Sequence, residues 1–256
     1  MKFGVGMATA LVVSVCFAVG SAHADTVITG GTDPTAKHVS LIGDSTLAGV
    51  RWNNTWGTIG AYNYVFDAES CRRTMGASCK GREGFAPDND IETMQRLSGQ
   101  LGSVLVIMGG YDDGGPTFSA GVDAVIAQAR SEGVMRVMWL TMRNADVTYV
   151  GPTFASDANT YKDNNKILLA KAQQYPDILV LADWATYSAT RTDWVATDGI
   201  HLTPAGSTAV IDFIKDNLDT LFAATSRWIP SFVAEQRVAK PFAACPPGSD
   251  LVRTVC

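Results

Sequence analysis

The sequence predicts an α/β protein, a three-layer αβα sandwich built on a central parallel sheet of five strands. Three observations predict it. Short apolar runs alternate with stretches of helical periodicity along most of the 256 residues. The runs are apolar throughout rather than at every second residue, which marks strands covered on both faces. The composition, 46% hydrophobic against 18% charged, is too apolar for a disordered chain, and 24 glycines with 10 prolines are too many for a coiled coil.

The elements follow in order. His38–Ile42 reads as a buried strand closing at Gly43, and Tyr62–Ala68 as the second. Asp90–Leu101 carries Ile91, Met94, Leu97 and Leu101 at helical spacing. Val104–Met108 is the third strand. Phe118–Glu132 is a helix with Val122, Val125, Ile126 and Ala129 on one face. Val134–Thr141 is the fourth strand, Asp157–Gln174 a helix, and Ile178–Ala182 the fifth strand. Pro204–Phe222 is the last helix, with Pro204 suited to its first turn. Right-handed crossovers between parallel strands then place helices on both faces. There is no internal repeat or linker, so one domain is expected, over 25–256. From about 223 it becomes an irregular tail rich in proline (Pro230, Pro241, Pro246, Pro247).

Residues 1–24 read as a signal peptide. Lys2 supplies a thin positive start, Val5–Val19 is uncharged and apolar, and Ala22-His23-Ala24 offers the small residues of a cleavage site. The expected location is therefore secreted or cell envelope. No later stretch is apolar enough to span a bilayer, so no stable membrane insertion is expected after cleavage. Cleavage after Ala24 leaves 19 basic against 25 acidic residues, a net charge of −6. That balance lacks the basic footprint of a nucleic-acid partner or an anionic membrane. Four cysteines remain, Cys71, Cys79, Cys245 and Cys256. An even number in an exported chain suggests two disulfides, and Cys71–Cys79 with Cys245–Cys256 close the shortest loops. With no CxxC pair and no His/Cys cluster, no metal site is expected.

The residues able to do chemistry fall just after strands, where ligands of parallel sheets bind. Ser45 follows Gly43-Asp44 where the first strand breaks toward a helix, so its hydroxyl is exposed; taken alone, a serine there reads first as an N-cap. His201 lies in Thr197-Asp198-Gly199-Ile200-His201. An aspartate three residues before a histidine, across a glycine turn, can hold the imidazole Nδ1–H and leave Nε2 to take a proton. His38, which opens a buried strand, reads as a strand-edge residue.

Taken together, GDS near the mature N-terminus, Gly110-Tyr111-Asp112-Asp113 after the third strand and DGIH before the last helix resemble the SGNH hydrolases, also called the GDSL family. The likeness covers about His38 to Leu221. It implies the flavodoxin-like SGNH fold and a catalytic triad of Ser45, Asp198 and His201. His201 would take the Ser45 proton during attack on an ester carbonyl, then protonate the leaving alcohol, and water would release the acyl group. One triad handles every proton, so neither metal nor organic cofactor is needed.

The chain departs from the family pattern at the oxyanion hole. The family has Gly-x-Asn-Asp in its third block, and here Asp112 stands in the place of the Asn. An ionised carboxylate cannot donate to an oxyanion; a protonated one can. Alternatively it can orient an arginine. The second-block glycine matches Cys71 best, with Gly81 and Gly84 as rivals. The expected hole is thus Ser45, Cys71 and Asp112.

Trp52, Arg72 and Tyr111 are expected to meet substrate. Aromatic faces suit sugar rings and arginines suit carboxylates or phosphates. The sequence therefore points to a secreted serine esterase acting on short-chain or carbohydrate-linked esters, with a small-molecule or glycan-linked ester as its partner. Two alternatives share the residues: an exported acyltransferase to a sugar hydroxyl, and a non-catalytic glycan-binding module.

Overall fold

A computed structural model describes residues 26–145 and 152–226, the side chains of 152–156 and 225–226 excepted. The expected signal peptide, the C-terminal tail and the Cys245–Cys256 bridge lie outside the described residues.

The chain runs β1 (Ile28–Gly30), β2 (His38–Gly43), α1 (Ser45–Trp52), β3 (Asn63–Ala68), α2 (Asp90–Arg96), β4 (Val104–Met108), α3 (Gly115–Ser131), β5 (Arg136–Leu140), α4 (Pro152–Gln174), β6 (Leu179–Ala182), α5 (Trp184–Ser188) and α6 (Pro204–Ser226). The sheet order is β1-β3-β2-β4-β5-β6, with every neighbouring pair parallel except β1 on β3. The expected five-stranded sheet is therefore six-stranded. The additional strand is a three-residue antiparallel edge, Ile28 opposite Phe66, too short to carry a periodicity of its own.

Each central strand feeds both layers. On β2, Val39 and Leu41 join the core beneath α1 and α6, while Ile42 joins the core beneath α2, α3 and α4. On β4, Val104, Val106 and Met108 face the first layer, and Leu105 and Ile107 the second. This two-sided burial is why the strands read as continuous apolar runs.

Several boundaries shift from the sequence expectation. The helix expected over Asp90–Leu101 ends at Arg96, and Leu97 and Leu101 stay buried in turns that follow it. Its start is set by a capping box between Asn89 and Glu92. The fourth strand is shorter than Val134–Thr141, while α3 and α4 begin earlier, at Gly115 and Pro152.

The topology places the site. From β2 the chain moves outward to β3, then crosses back over β2 to β4. The connections leave β2 in opposite directions, opening a crevice beyond the carboxyl ends of β2 and β4. Ser45 follows β2, and Tyr111 and Asp112 follow β4.

Candidate active site

Gly43 lets the end of β2 approach its neighbours. A Cβ there would lie 2.5 Å from the Met108 carbonyl and 2.6 Å from Leu47 Cβ. Asp44, not Ser45, then caps α1. Its Oδ1 accepts from the Thr46 N–H at 2.9 Å and from Thr46 Oγ1 at 2.6 Å. The N-cap reading of Ser45 is thereby set aside, and the serine becomes the first helical residue, half-exposed with its hydroxyl uncommitted to the helix. Asp44 Oδ2 also accepts from the Tyr111 N–H at 3.2 Å, tying the two crevice loops together. Burial and the neighbouring Asp112 push the Asp44 carboxyl up to about 7.

The histidine arrives on the segment between α5 and α6. Gly199, at φ 74°, makes the turn that brings Asp198 back on His201. Asp198 Oδ1 accepts from the N–H groups of Ile200 and His201, both at 2.9 Å, and Oδ2 lies 2.8 Å from His201 Nδ1. Although burial opposes it, these bonds and the imidazole hold Asp198 below the ordinary carboxylate range. With Nδ1–H donating to the carboxylate, Nε2 accepts. Nε2 is 3.0 Å from Ser45 Oγ. Three side chains that lie up to 156 positions apart thus form one hydrogen-bonded chain.

Two supports went unread in the sequence. Arg143, only 1% exposed, donates to the carbonyls of Ser188, Ala189 and Gly199 at 3.2 to 3.4 Å, anchoring the segment that carries Asp198. Asn164 donates to the carbonyls of Gly110 and Asp113, and Asn165 pairs with both the N–H and carbonyl of Met142. The signal for these asparagines was present. Tyr161, Asn164, Asn165 and Leu168 follow the three- and four-residue spacing of one helix stripe, and polar residues on such a stripe need partners.

A cleft of about 270 Å³ opens at the serine, lined by Ser45, Tyr111, Asp112, Asp157, Thr160, Tyr161, Ile200 and His201. Tyr111 and Tyr161 meet edge to face, with ring centroids 4.8 Å apart. The Tyr111 hydroxyl accepts from the Arg143 N–H at 2.7 Å.

The expected oxyanion residues gather near this cleft. Cys71 adopts φ 68°, a left-handed conformation that glycine takes without strain, which suits its alignment with the second-block glycine. It is bridged to Cys79, as expected. Among the described residues, no acceptor meets the backbone N–H of Ser45 or of Cys71. Asp112 lies with one carboxylate oxygen within 4.8 Å of both bridge sulfurs. Those sulfurs are joined to each other, so the trio offers no thiolate for a metal.

Two expected substrate residues are corrected. Arg72 is 1% exposed and fully committed inside the protein: it bonds Asp67 Oδ1 at 2.7 Å and the carbonyls of Asp67 and Asp88. It neutralises a buried carboxylate and cannot reach a ligand. Trp52 does not line the cleft; its indole N–H donates to Glu83 at 3.1 Å and Arg82 stacks on its ring. Tyr111 alone of the three is at the cleft.

No protein-family model and no curated protein matches the sequence. Solved structures do match the fold. A candidate SGNH hydrolase from Slackia heliotrinireducens is 18% identical, with 72% of this chain and 99% of that one covered at a TM-score of 0.52. A GDSL-like lipase from Bacteroides thetaiotaomicron is 14% identical, with 72% and 89% covered at 0.52. The aryl esterase of M. smegmatis, in its inhibitor-bound form, is 16% identical, with 71% and 99% covered at 0.51. From about 70% of its length, shared with nearly whole chains of this group, the protein has the fold of the SGNH hydrolases.

Proposed function

We propose that the protein is an exported serine hydrolase of the SGNH type that cleaves carboxylic esters with short acyl chains or carbohydrate-linked acyl groups. The observation that carries this reading is the continuous chain Ser45 Oγ, His201 Nε2, His201 Nδ1, Asp198 Oδ2, with links of 3.0 and 2.8 Å. In this reading His201 removes the Ser45 proton as Oγ bonds to the ester carbon, and the carbonyl electron pair moves onto oxygen. The N–H groups of Ser45 and Cys71 serve that oxyanion. Collapse breaks the bond to the alcohol, which takes the proton from His201. Water repeats the sequence and frees the acid.

Support for ester chemistry comes from the neighbours' fold and from the small cleft, whose roughly 270 Å³ suits a short acyl group better than a long one. Export is proposed from the N-terminal sequence alone. The test is hydrolysis of p-nitrophenyl acetate, butyrate and decanoate by wild type and Ser45→Ala. Wild type should favour the short esters, and the variant should lose on the order of 10³-fold or more in kcat. Equal rates for the two proteins would overturn the proposal.

A further inference from the structure

Asp112 puts a carboxyl group into the wall of the cleft that holds Ser45, where an ionised carboxylate would repel negative charge developing on a substrate. It lines the cleft with Ser45 and His201. One carboxylate oxygen lies within 4.8 Å of both sulfurs of the Cys71–Cys79 bridge, which have nothing to donate. The adjacent Asp113 is satisfied by the Thr74 N–H at 2.8 Å, and Asp44 by Thr46 and Tyr111. No hydrogen bond or ion pair reaches Asp112 from the described residues. A polar group set in the cleft wall with its own partners withheld is available to a ligand atom.

We propose that Asp112 is a catalytic residue that works in its protonated form, its carboxylic O–H donating to the substrate oxyanion, so that ionisation of Asp112 turns the enzyme off. This rests on the esterase reading and assigns one more residue of the same site. The titratable groups around Asp112 are Asp113, Arg73, His201, Asp44 and Tyr161. Three carboxyl groups this close cannot all ionise without mutual cost. Burial first, then Asp113, raises Asp112 above the ordinary carboxylate range, while the exposed Arg73 and the half-buried His201 oppose the rise. The ionised form has no proton to donate, and its charge repels the oxyanion.

The proton stays on Asp112 throughout. When Ser45 Oγ bonds to the carbonyl carbon, its proton moves to His201 and the π pair becomes the oxyanion that accepts from Asp112. When the bond to the alcohol breaks, the proton leaves His201 for the alcohol and the carbonyl reforms.

The test is kcat/KM for p-nitrophenyl acetate from pH 4 to 9 with wild type, Asp112→Asn and Asp112→Ala. The asparagine donates at every pH, so its alkaline limb should vanish and its rate should exceed wild type by on the order of 10²-fold at the alkaline end. The alanine should lose on the order of 10²-fold at the wild-type optimum. At the alkaline end, where wild type carries the repelling charge, it should equal or exceed wild type. Asparagine and wild-type profiles of identical shape, or an alanine variant below wild type at every pH, would overturn the assignment. A wild type with no Ser45-dependent turnover would instead fell the esterase reading and this inference with it.

Discussion

Arg143 anchors the segment that presents Asp198 and His201, and the Arg143→Met substitution tests that role. The new side chain keeps much of the apolar stem and removes the guanidinium. Three carbonyls, of Ser188, Ala189 and Gly199, then lose donors at 3.4, 3.3 and 3.2 Å inside a buried site. Bonds from a charged donor to carbonyls contribute about 1.5–3 kcal/mol when short. At these lengths about 1 kcal/mol each is reasonable, which gives about 3 kcal/mol in all. For a domain of this size that corresponds to a fall in Tm of roughly 6–12 °C. The same carbonyls belong to the segment that presents Asp198 and His201, so activity should fall further than the unfolded fraction explains. A small displacement of a catalytic group costs on the order of 10²-fold in rate. Circular dichroism melts give the first number, and kcat/KM well below Tm gives the second. An Arg143→Met variant that melts within about 2 °C of wild type and keeps its kcat/KM would refute the anchoring role.

Other predictions follow from the same structure. Replacing both Cys71 and Cys79 with alanine opens a loop of sequence separation 8 and should cost about 2.5 kcal/mol on the loop-entropy account. Glycine at 71 in place of alanine should recover about 1 kcal/mol, because φ is 68° there; equal melts for the two double variants would remove the backbone argument. Asp67 is fully buried between Arg72 and Arg96, which hold its carboxyl below the ordinary range although burial pushes the other way. Its contribution is present above the ordinary carboxylate range and is lost as pH falls through the lowered value, so Asp67→Asn should flatten the acid side of a stability profile. It should also cost roughly 3–5 kcal/mol at neutral pH, because Arg72 is left charged and buried; a neutral variant would contradict this. Asp90 behaves oppositely: burial, reinforced by Asp113, Asp44 and Asp67 against Arg72, pushes it up to about 8. The folded protein keeps a proton that the unfolded chain releases near its ordinary value, so stability declines as pH rises from about 4 toward 8. Asp90→Asn should therefore stabilise increasingly across that window, read from urea melts at several pH values, and a gain that shrinks with pH would refute the burial argument.

Much of this was legible in the sequence because the sheet is buried on both faces. Val104–Met108 can be little other than a central strand, and the turn chemistry of Asp198-Gly199-Ile200-His201 brings its own partners together within a few residues. Features that rest on three-dimensional neighbours were not legible. β1 is a strand only because β3 offers an open edge to Ile28. Arg72 looked available to substrate because its partner Asp67, inside β3, read as one more residue of a strand; burial of the pair appears only when the α2 side covers it. Ser45 could be read as a cap until Asp44 was seen to take that role through Thr46. Arg143 has no sequence signature, since its partners are backbone carbonyls more than 40 positions away. The bridge between Cys71 and Cys79 was legible from spacing, but its place against Asp112 depends on how the loops after β3 and β4 meet.

The central claim is that Ser45 is a nucleophile activated by His201, and covalent trapping tests it most directly. A fluorophosphonate should transfer its phosphonyl group to one oxygen of the wild-type protein, and mass spectrometry of the digested adduct should find that group on Ser45. Ser45→Ala should remain unmodified, and His201→Ala should react far more slowly. A native protein that stays unmodified, or one modified at another residue with Ser45 intact, would contradict the account.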